Sequence, residues 1–202
     1  MKNTQRLFIS VFALLILAGC AGHSTITTDP LAPGEKVRML SFSTETVIPV
    51  MTWRRGLTDR SNLGLHLGIP VYGTGIDYSY HLRQDERGRG DIINFGVFMT
   101  PNANVDFTYY KIGSLGKANR FHPIFGWRIM YIPSGIQGQQ SVRFGFLTGL
   151  SVNDKLHIEL GYFHDFYEGG SAWYKNTIIP TEKNPLTGLS IRFSLPMFHT
   201  QG

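Results

Sequence analysis

From about residue 37 onward, bulky apolar residues alternate with polar or small ones at every second position, in runs of roughly ten residues broken by turns. Leu63, Leu65, Leu67 and Ile69 share one side of such a run, with Asn62, Gly64, His66 and Gly68 on the other. In the next, Ile76, Tyr78, Tyr80 and Leu82 oppose Gly75, Asp77, Ser79, His81 and Arg83. Later runs set Phe125, Trp127, Ile129 and Tyr131 against Gly126 and Arg128, and Leu156, Ile158, Leu160 and Tyr162 against His157, Glu159 and Gly161. A period of two is that of a pleated strand, whose side chains point to its two faces in turn. Runs fall at about 47–55, 62–69, 74–83, 91–99, 104–112, 122–132, 141–152, 155–165 and 186–195. A short weak run at 37–43 is the natural tenth, because single-chain bacterial barrels carry an even number of strands. Eight strands, with residues 37–55 outside the barrel, is the rival count.

What the two faces carry narrows the fold class further. A soluble sandwich turns its large apolar residues inward and its charges outward. Here one face is aliphatic and aromatic, while the other mixes glycine with Arg54, His66, Asp77, His81, Arg83, Asn94, Arg128, Arg143, His157, Glu159 and Arg192. Glycine lets backbones crowd a narrow interior, and charges can pair across it. This is the inside-out distribution of a transmembrane barrel, with an apolar band toward lipid and a polar lumen. The fold class expected is therefore all-β: a small closed antiparallel barrel of about ten strands, spanning residues 37–198, with a short tail at 199–202.

Turn chemistry orients it. The stretches beginning Gly56-Leu57-Thr58-Asp59 and Gly149-Leu150-Ser151 share one form: Gly-Leu, a hydroxyl, turn acids and amides, then a new strand. An even number of strands separates them, so both belong to one side, together with both termini. The longest connection, residues 167–184, falls on the opposite, outer side and carries Trp173, Tyr174 and Lys175.

Composition excludes several classes. Charged residues are only 16%, aromatics 13%, and there are 23 Gly, which argues against a helical bundle or a disordered tail. Past residue 19 no stretch of ~18 apolar residues occurs, so no spanning helix is expected. The formal charge of +5 includes Lys2 and Arg6 near the N-terminus; the remaining bases are dispersed and form no nucleic-acid-binding face. The seven His lack His-x-x-x-His spacing and there is one Cys, so neither a metal site nor an internal disulfide is expected, and nothing asks for a cofactor.

The N-terminus has the parts of an export signal: Lys2 and Arg6, then an apolar run at residues 7–17 too short to span a bilayer. Leu17-Ala18-Gly19-Cys20 follows directly and resembles the bacterial lipobox in every position. The resemblance implies cleavage before Cys20, leaving residues 1–19 as a lipoprotein signal peptide, and acylation of Cys20, with palmitate among the chains. Several acyl chains on one residue anchor durably, at ~0.8 kcal/mol per buried methylene. Ala21, in place of Asp, resembles the sorting pattern for the outer membrane of a Gram-negative envelope. Residues 20–36, rich in Thr, Gly and Pro, are expected to be a flexible lipidated tether. As a whole, residues 37–198 resemble small outer-membrane barrels of the OmpA/OmpX type in pattern. That implies outer-membrane lipids, the barrel-assembly machinery and the lipoprotein-sorting machinery as partners; Gly188-x-x-Ile191-x-Phe193 is similar to the final-strand signal of such barrels.

The inward polar residues are expected to pair and fill the lumen, since an unpaired charge in a closed interior is costly. On this reading the chain is a lipid-anchored outer-membrane barrel with a structural or surface-interaction role, and no catalytic activity is evident. Two other readings remain. One is a lipid A-modifying enzyme, for which His164-Asp165 with Glu168 and Ser171 is the only nearby cluster; Phe166 stands where the His-x-Ser pattern of deacylases wants Ser. The other is a periplasmic lipid-binding barrel tethered through Cys20. The pattern also predicts that Leu65→Arg is costly and His66→Arg far milder.

Overall fold

A computed structural model of the chain describes residues 26–43, 49–68, 73–85, 87–99, 103–115, 120–133, 140–153, 156–167 and 189–200. Ten strands form, each where the period-two pattern lies: β1 Lys36–Ser43, β2 Val50–Thr58, β3 Ser61–Gly68, β4 Thr74–Gln84, β5 Gly90–Met99, β6 Ala103–Ile112, β7 Phe121–Ile132, β8 Ser141–Val152, β9 Leu156–Tyr167 and β10 Leu189–Thr200. Sequence neighbours pair antiparallel, and β1 pairs β10 as well as β2, so the sheet closes on itself. Of the expected counts, ten holds and eight does not: the short β1 is the strand that seals the ring. Among the described residues, no helix is long and apolar enough to cross a membrane.

Pro196 did not end the last strand as its missing N–H suggests. β10 runs on to Thr200, and a register shift between Arg38 and Met39 on β1, opposite Phe198 and Pro196, absorbs the lost donor. The β8–β9 turn places Asn153 at φ 50°, a left-handed conformation that Asn tolerates because its side chain can bond the local backbone. The β2–β3, β4–β5, β6–β7 and β8–β9 turns lie at the same end of the ring as the start of β1 and the end of β10; this is called the turn end below. Both Gly-Leu turns are there. The 167–184 connection leaves from the other end, and all but its first residue lies outside the described residues.

The two faces are sorted as the alternation requires. Leu65 is 52% exposed and Phe146 65%, whereas Arg54 is 1% and Arg128 0% exposed. Outward aromatics touch along β6–β8: Trp127 lies 5.6 Å from Phe107, 6.1 Å from Tyr109 and 6.4 Å from Phe144, between ring centroids. The greasy surface is the outside of the ring, and the ionised groups are its core.

The stretch ahead of β1 departs from the expected tether. From Ile26 on it is packed, with Ile26, Thr28 and Leu31 all buried. Leu31 clusters with Val37 and Met39, inward residues of β1. Ile26 joins Ile92, Tyr110, Ile112 and Ile124, inward residues at the turn ends of β5, β6 and β7. In a ten-stranded ring β6 lies across from β1, so residues 26–31 form a strap across the lumen near its turn end. Eight strands leave an interior just filled by side chains; ten leave more room, and the strap occupies it. The Gly34 N–H donates to the Gly56 carbonyl (3.0 Å) and the Gly56 N–H to that of Glu35 (2.9 Å). A Cβ on Gly56 would collide with the Ala32 carbonyl, so a residue with no side chain lets the strap approach β2.

Candidate functional site: the polar lumen

The lumen holds two polar constellations on different walls. The first is built on β2–β5. Arg54, Gly64 and Asp77 occupy one cross-strand row, Arg54 opposite Gly64 and Gly64 opposite Asp77. Because the middle position has no side chain, the guanidinium and carboxylate meet over it as a fully buried ion pair. A Cβ at Gly64 would strike both the Asp77 carboxylate and the Arg54 guanidinium. Arg54 Nη1 also donates to the Asn62 side-chain oxygen and to Ser79 Oγ (2.9 Å).

Asp77 is the acceptor at the centre of this group. Besides Arg54 it is bonded to His66 Nε2 and accepts from Asn94 Nδ2 (2.7 Å); the same amide reaches Ser79 Oγ at 2.7 Å. His66 Nδ1 lies 2.9 Å from Thr52 Oγ1, and its ring meets Phe98 edge-on at 5.1 Å. Hydroxyl, imidazole and carboxylate thus stand in a line, Thr52, His66, Asp77, the order in which a nucleophilic triad is wired. All three are at most 2% exposed, and Arg54 neutralises the carboxylate. Sealed from solvent, with its carboxylate paired to Arg54, the line is wired as a buried polar network. His81 lies buried on the same strand as Asp77.

The second constellation centres on Arg128 of β7, fully buried among apolar neighbours. Its Nε donates to Thr108 Oγ1 and its Nη2 to the Tyr110 hydroxyl, both at 2.7 Å. Asp106 lies 3.5 Å and Glu159 3.9 Å away as counter-charges, and the guanidinium carbon stands 5.7 Å over the Phe163 ring. Ser151 Oγ is 3.4 Å from His157 Nε2 nearby.

Of the residues expected inside, Arg54, His66, Asp77, His81, Asn94, Arg128, His157 and Glu159 are buried there. Arg83 is not. A register shift between His81 and Arg83 inserts an extra residue, which breaks the alternation, and Arg83 stands exposed near the turn end of β4. Arg143 is only half-buried, close to the opposite rim. The backbone of Arg192 pairs with that of Glu159, and its side chain lies outside the described residues. So do Cys20, Glu168 and Ser171, and the side chains of His164 and Asp165.

Two further departures concern β6 and His66. Asn104, Asp106, Thr108 and Tyr110 all face the lumen, although only the outward alternation of Val105, Phe107 and Tyr109 around them could have signalled it. Tyr110 is fully buried, and its hydroxyl accepts from Arg128. His66 is not the tolerant position its sequence neighbourhood suggests, being held at both ring nitrogens. Among the described residues no group of acidic, His or Cys side chains could hold a metal ion. Comparison with family models, with curated proteins and with solved structures gave no match.

Proposed function

We propose that this chain is a lipid-anchored barrel of the bacterial outer membrane, with a filled lumen and a structural or surface-interaction role. The observation that carries this reading is the inversion of the usual core. Leu63, Leu65, Leu67, Ile76, Phe95 and Val97 are 41–53% exposed on adjacent strands, while two arginines and their carboxylates are sealed inside. In water that exterior would be a very large apolar patch. In lipid it is the favourable solvent contact, and a closed ring leaves no sheet edge without partners.

Filling, rather than conduction, is favoured by how the charges are arranged. Arg54 is matched by Asp77, and Arg128 stands between Asp106 and Glu159, so among the described residues no uncompensated ring of one sign lines a path. The strap crosses the turn end in addition. The lipobox residues Leu17-Ala18-Gly19-Cys20 supply the anchor in this reading, and the 167–184 connection is the surface proposed for partners.

The test is the behaviour of the purified full chain in detergent. Unboiled samples should migrate differently from boiled ones, and the protein should precipitate when detergent is removed. Equal migration with solubility in plain buffer would replace this reading with a tethered, water-soluble lipid-binding barrel. Deleting the 167–184 connection should leave the heat-dependent shift intact while abolishing binding to any cell or ligand that the whole protein binds.

A further inference from the structure

Most of the outer surface is tiled by large side chains, but β7–β9 carry a hollow. Phe125, Thr148 and Leu160 stand in one outward row, each four residues in from the turn end of its strand. Thr148 is the short member. Phe146 and Tyr162, paired in the next outward row, wall the hollow on the other side, and Gly126 and Gly161 lie in its floor. The resulting open groove has a volume of about 490 Å³ and is almost wholly apolar in its lining. That lies within the range of ~300–1,000 Å³ typical of clefts that hold a small ligand. Phe125 and Phe146, at 58% and 65% exposure, are the two most exposed large hydrophobic side chains among the described residues.

We infer that this groove seats an acyl chain carried by Cys20 of the same molecule, an inference that rests on the lipid-anchored reading above. The direction of the strap motivates the choice of occupant. Followed backward from β1, the chain reaches Ile26 in the inward cluster of β5–β9, whose β7–β9 members lie behind the groove. Five residues separate Ile26 from Cys20. Six Cα steps reach at most roughly 20 Å, and four strand residues rise about 13 Å. Cys20 can therefore stand at the rim above β7–β9 with its lipid hanging down the outer wall. Leu147 belongs both to the interior cluster that holds Ile26 and to the lining of the groove, so one strand couples the strap's seat to the lipid's. The groove would fix the anchor's azimuth on the ring, where a free tether would leave it anywhere.

The full chain is expressed in cells fed a diazirine-bearing fatty acid, purified, irradiated and digested, and its cross-links are mapped by mass spectrometry. A cross-link made by the chain's own lipid joins the Cys20 peptide to another peptide; bulk lipid leaves an adduct without Cys20. Most Cys20-linked products should fall on peptides of β7–β9 carrying Phe125, Phe146, Thr148 or Tyr162. Thr148→Trp, which fills the hollow from its lipid-facing side, should lower their yield severalfold while the heat-dependent gel shift persists. Label on Cys20 with products scattered around the ring, or an unchanged yield in Thr148→Trp, overturns the seating and leaves the anchored barrel standing. Groove adducts of bulk lipid that are undiminished in the presence of an acylated Cys20 likewise overturn it. Absence of label from Cys20 overturns the anchor and the seating together.

Discussion

The wall formed by β2–β4 turns Thr52, Arg54, Asn62, His66, Asp77, Ser79 and His81 into the lumen, whereas β6–β9 mix Ile112, Ile124, Met130, Ile132, Leu147 and Phe163 with Asn104, Asp106, Thr108, Arg128, His157 and Glu159. On the first wall most polar groups find partners on the next strand or the one beyond, so that wall is largely satisfied by its own side chains. On the second, the apolar residues form one cluster with Ile26 of the strap. The difference teaches that this barrel is filled in two ways: the first wall by pairing among its own side chains, the second also through an apolar cluster that takes in the chain ahead of β1.

The sharpest way to break the comparison is to unbalance the polar wall. Asp77→Ala leaves Arg54 sealed without its carboxylate and His66 without its acceptor, and should cost about 3–5 kcal/mol, read from urea unfolding in detergent by the gel shift. Replacing both ions, Arg54→Met with Asp77→Leu, should recover most of that loss, because removing a buried pair leaves no orphaned charge. If the double variant is as unstable as the single one, the wall is not held by pairing. His66→Arg should also be poorly tolerated, since it sets a second fixed cation against Arg54 around a single carboxylate.

Next in size is the outer side of the same wall. Leu65→Arg, on the apolar exterior, should cost ~2–4 kcal/mol in a bilayer, and the penalty should shrink when unfolding is followed in a detergent that admits water around the ring. An equal penalty in both media would argue against a lipid-facing Leu65.

A smaller loss tests the apolar cluster. Ile26→Ala removes the strap's member of the buried cluster of β5–β9, and should cost about 2 kcal/mol, the low end for an aliphatic truncation, because the strap can partly resettle. The same substitution, or deletion of residues 26–31, should raise ion leakage through the protein in planar bilayers relative to the parent. Leakage unchanged by deletion would show that side chains close the lumen unaided.

The smallest effect belongs to the exposed β4–β5 turn, where Asp85 bonds Arg89 (2.7 Å) and the backbone N–H groups of Arg87 and Arg89. These donors, the Arg89 side chain first, hold the Asp85 carboxyl below its ordinary range. Its contribution is therefore present above the usual carboxylate pKa and fades as pH falls through the lowered one. In a fully exposed turn, solvent screens the pair, and Asp85→Asn should leave the unfolding midpoint at neutral pH unchanged within error.

Much of this was legible in the sequence because the pleat is a two-residue geometry. Strand positions and the identity of the bulky and polar faces follow from neighbours along the chain, as in residues 62–68 and 75–82, whereas the choice of ten strands over eight was made by the pairing of β1 with β10. Local rules also placed both Gly-Leu turns at one end.

What tertiary structure alone decided depends on residues far apart in sequence. The bulge between His81 and Arg83 arises in the pairing of β4 with β5, and it turns Arg83 outward against its own alternation. The partnership of Arg54 with Asp77 exists because registers on both sides of β3 bring Gly64 between them. Tyr110 became a lumen acceptor because β7 offers the Arg128 guanidinium beside it. The strap had no periodicity to betray it: Ile26 and Leu31 are buried because ring closure brings inward residues of β5–β9 and of β1 around them. Alternation sets which way a side chain points, while closure and register set what it meets there.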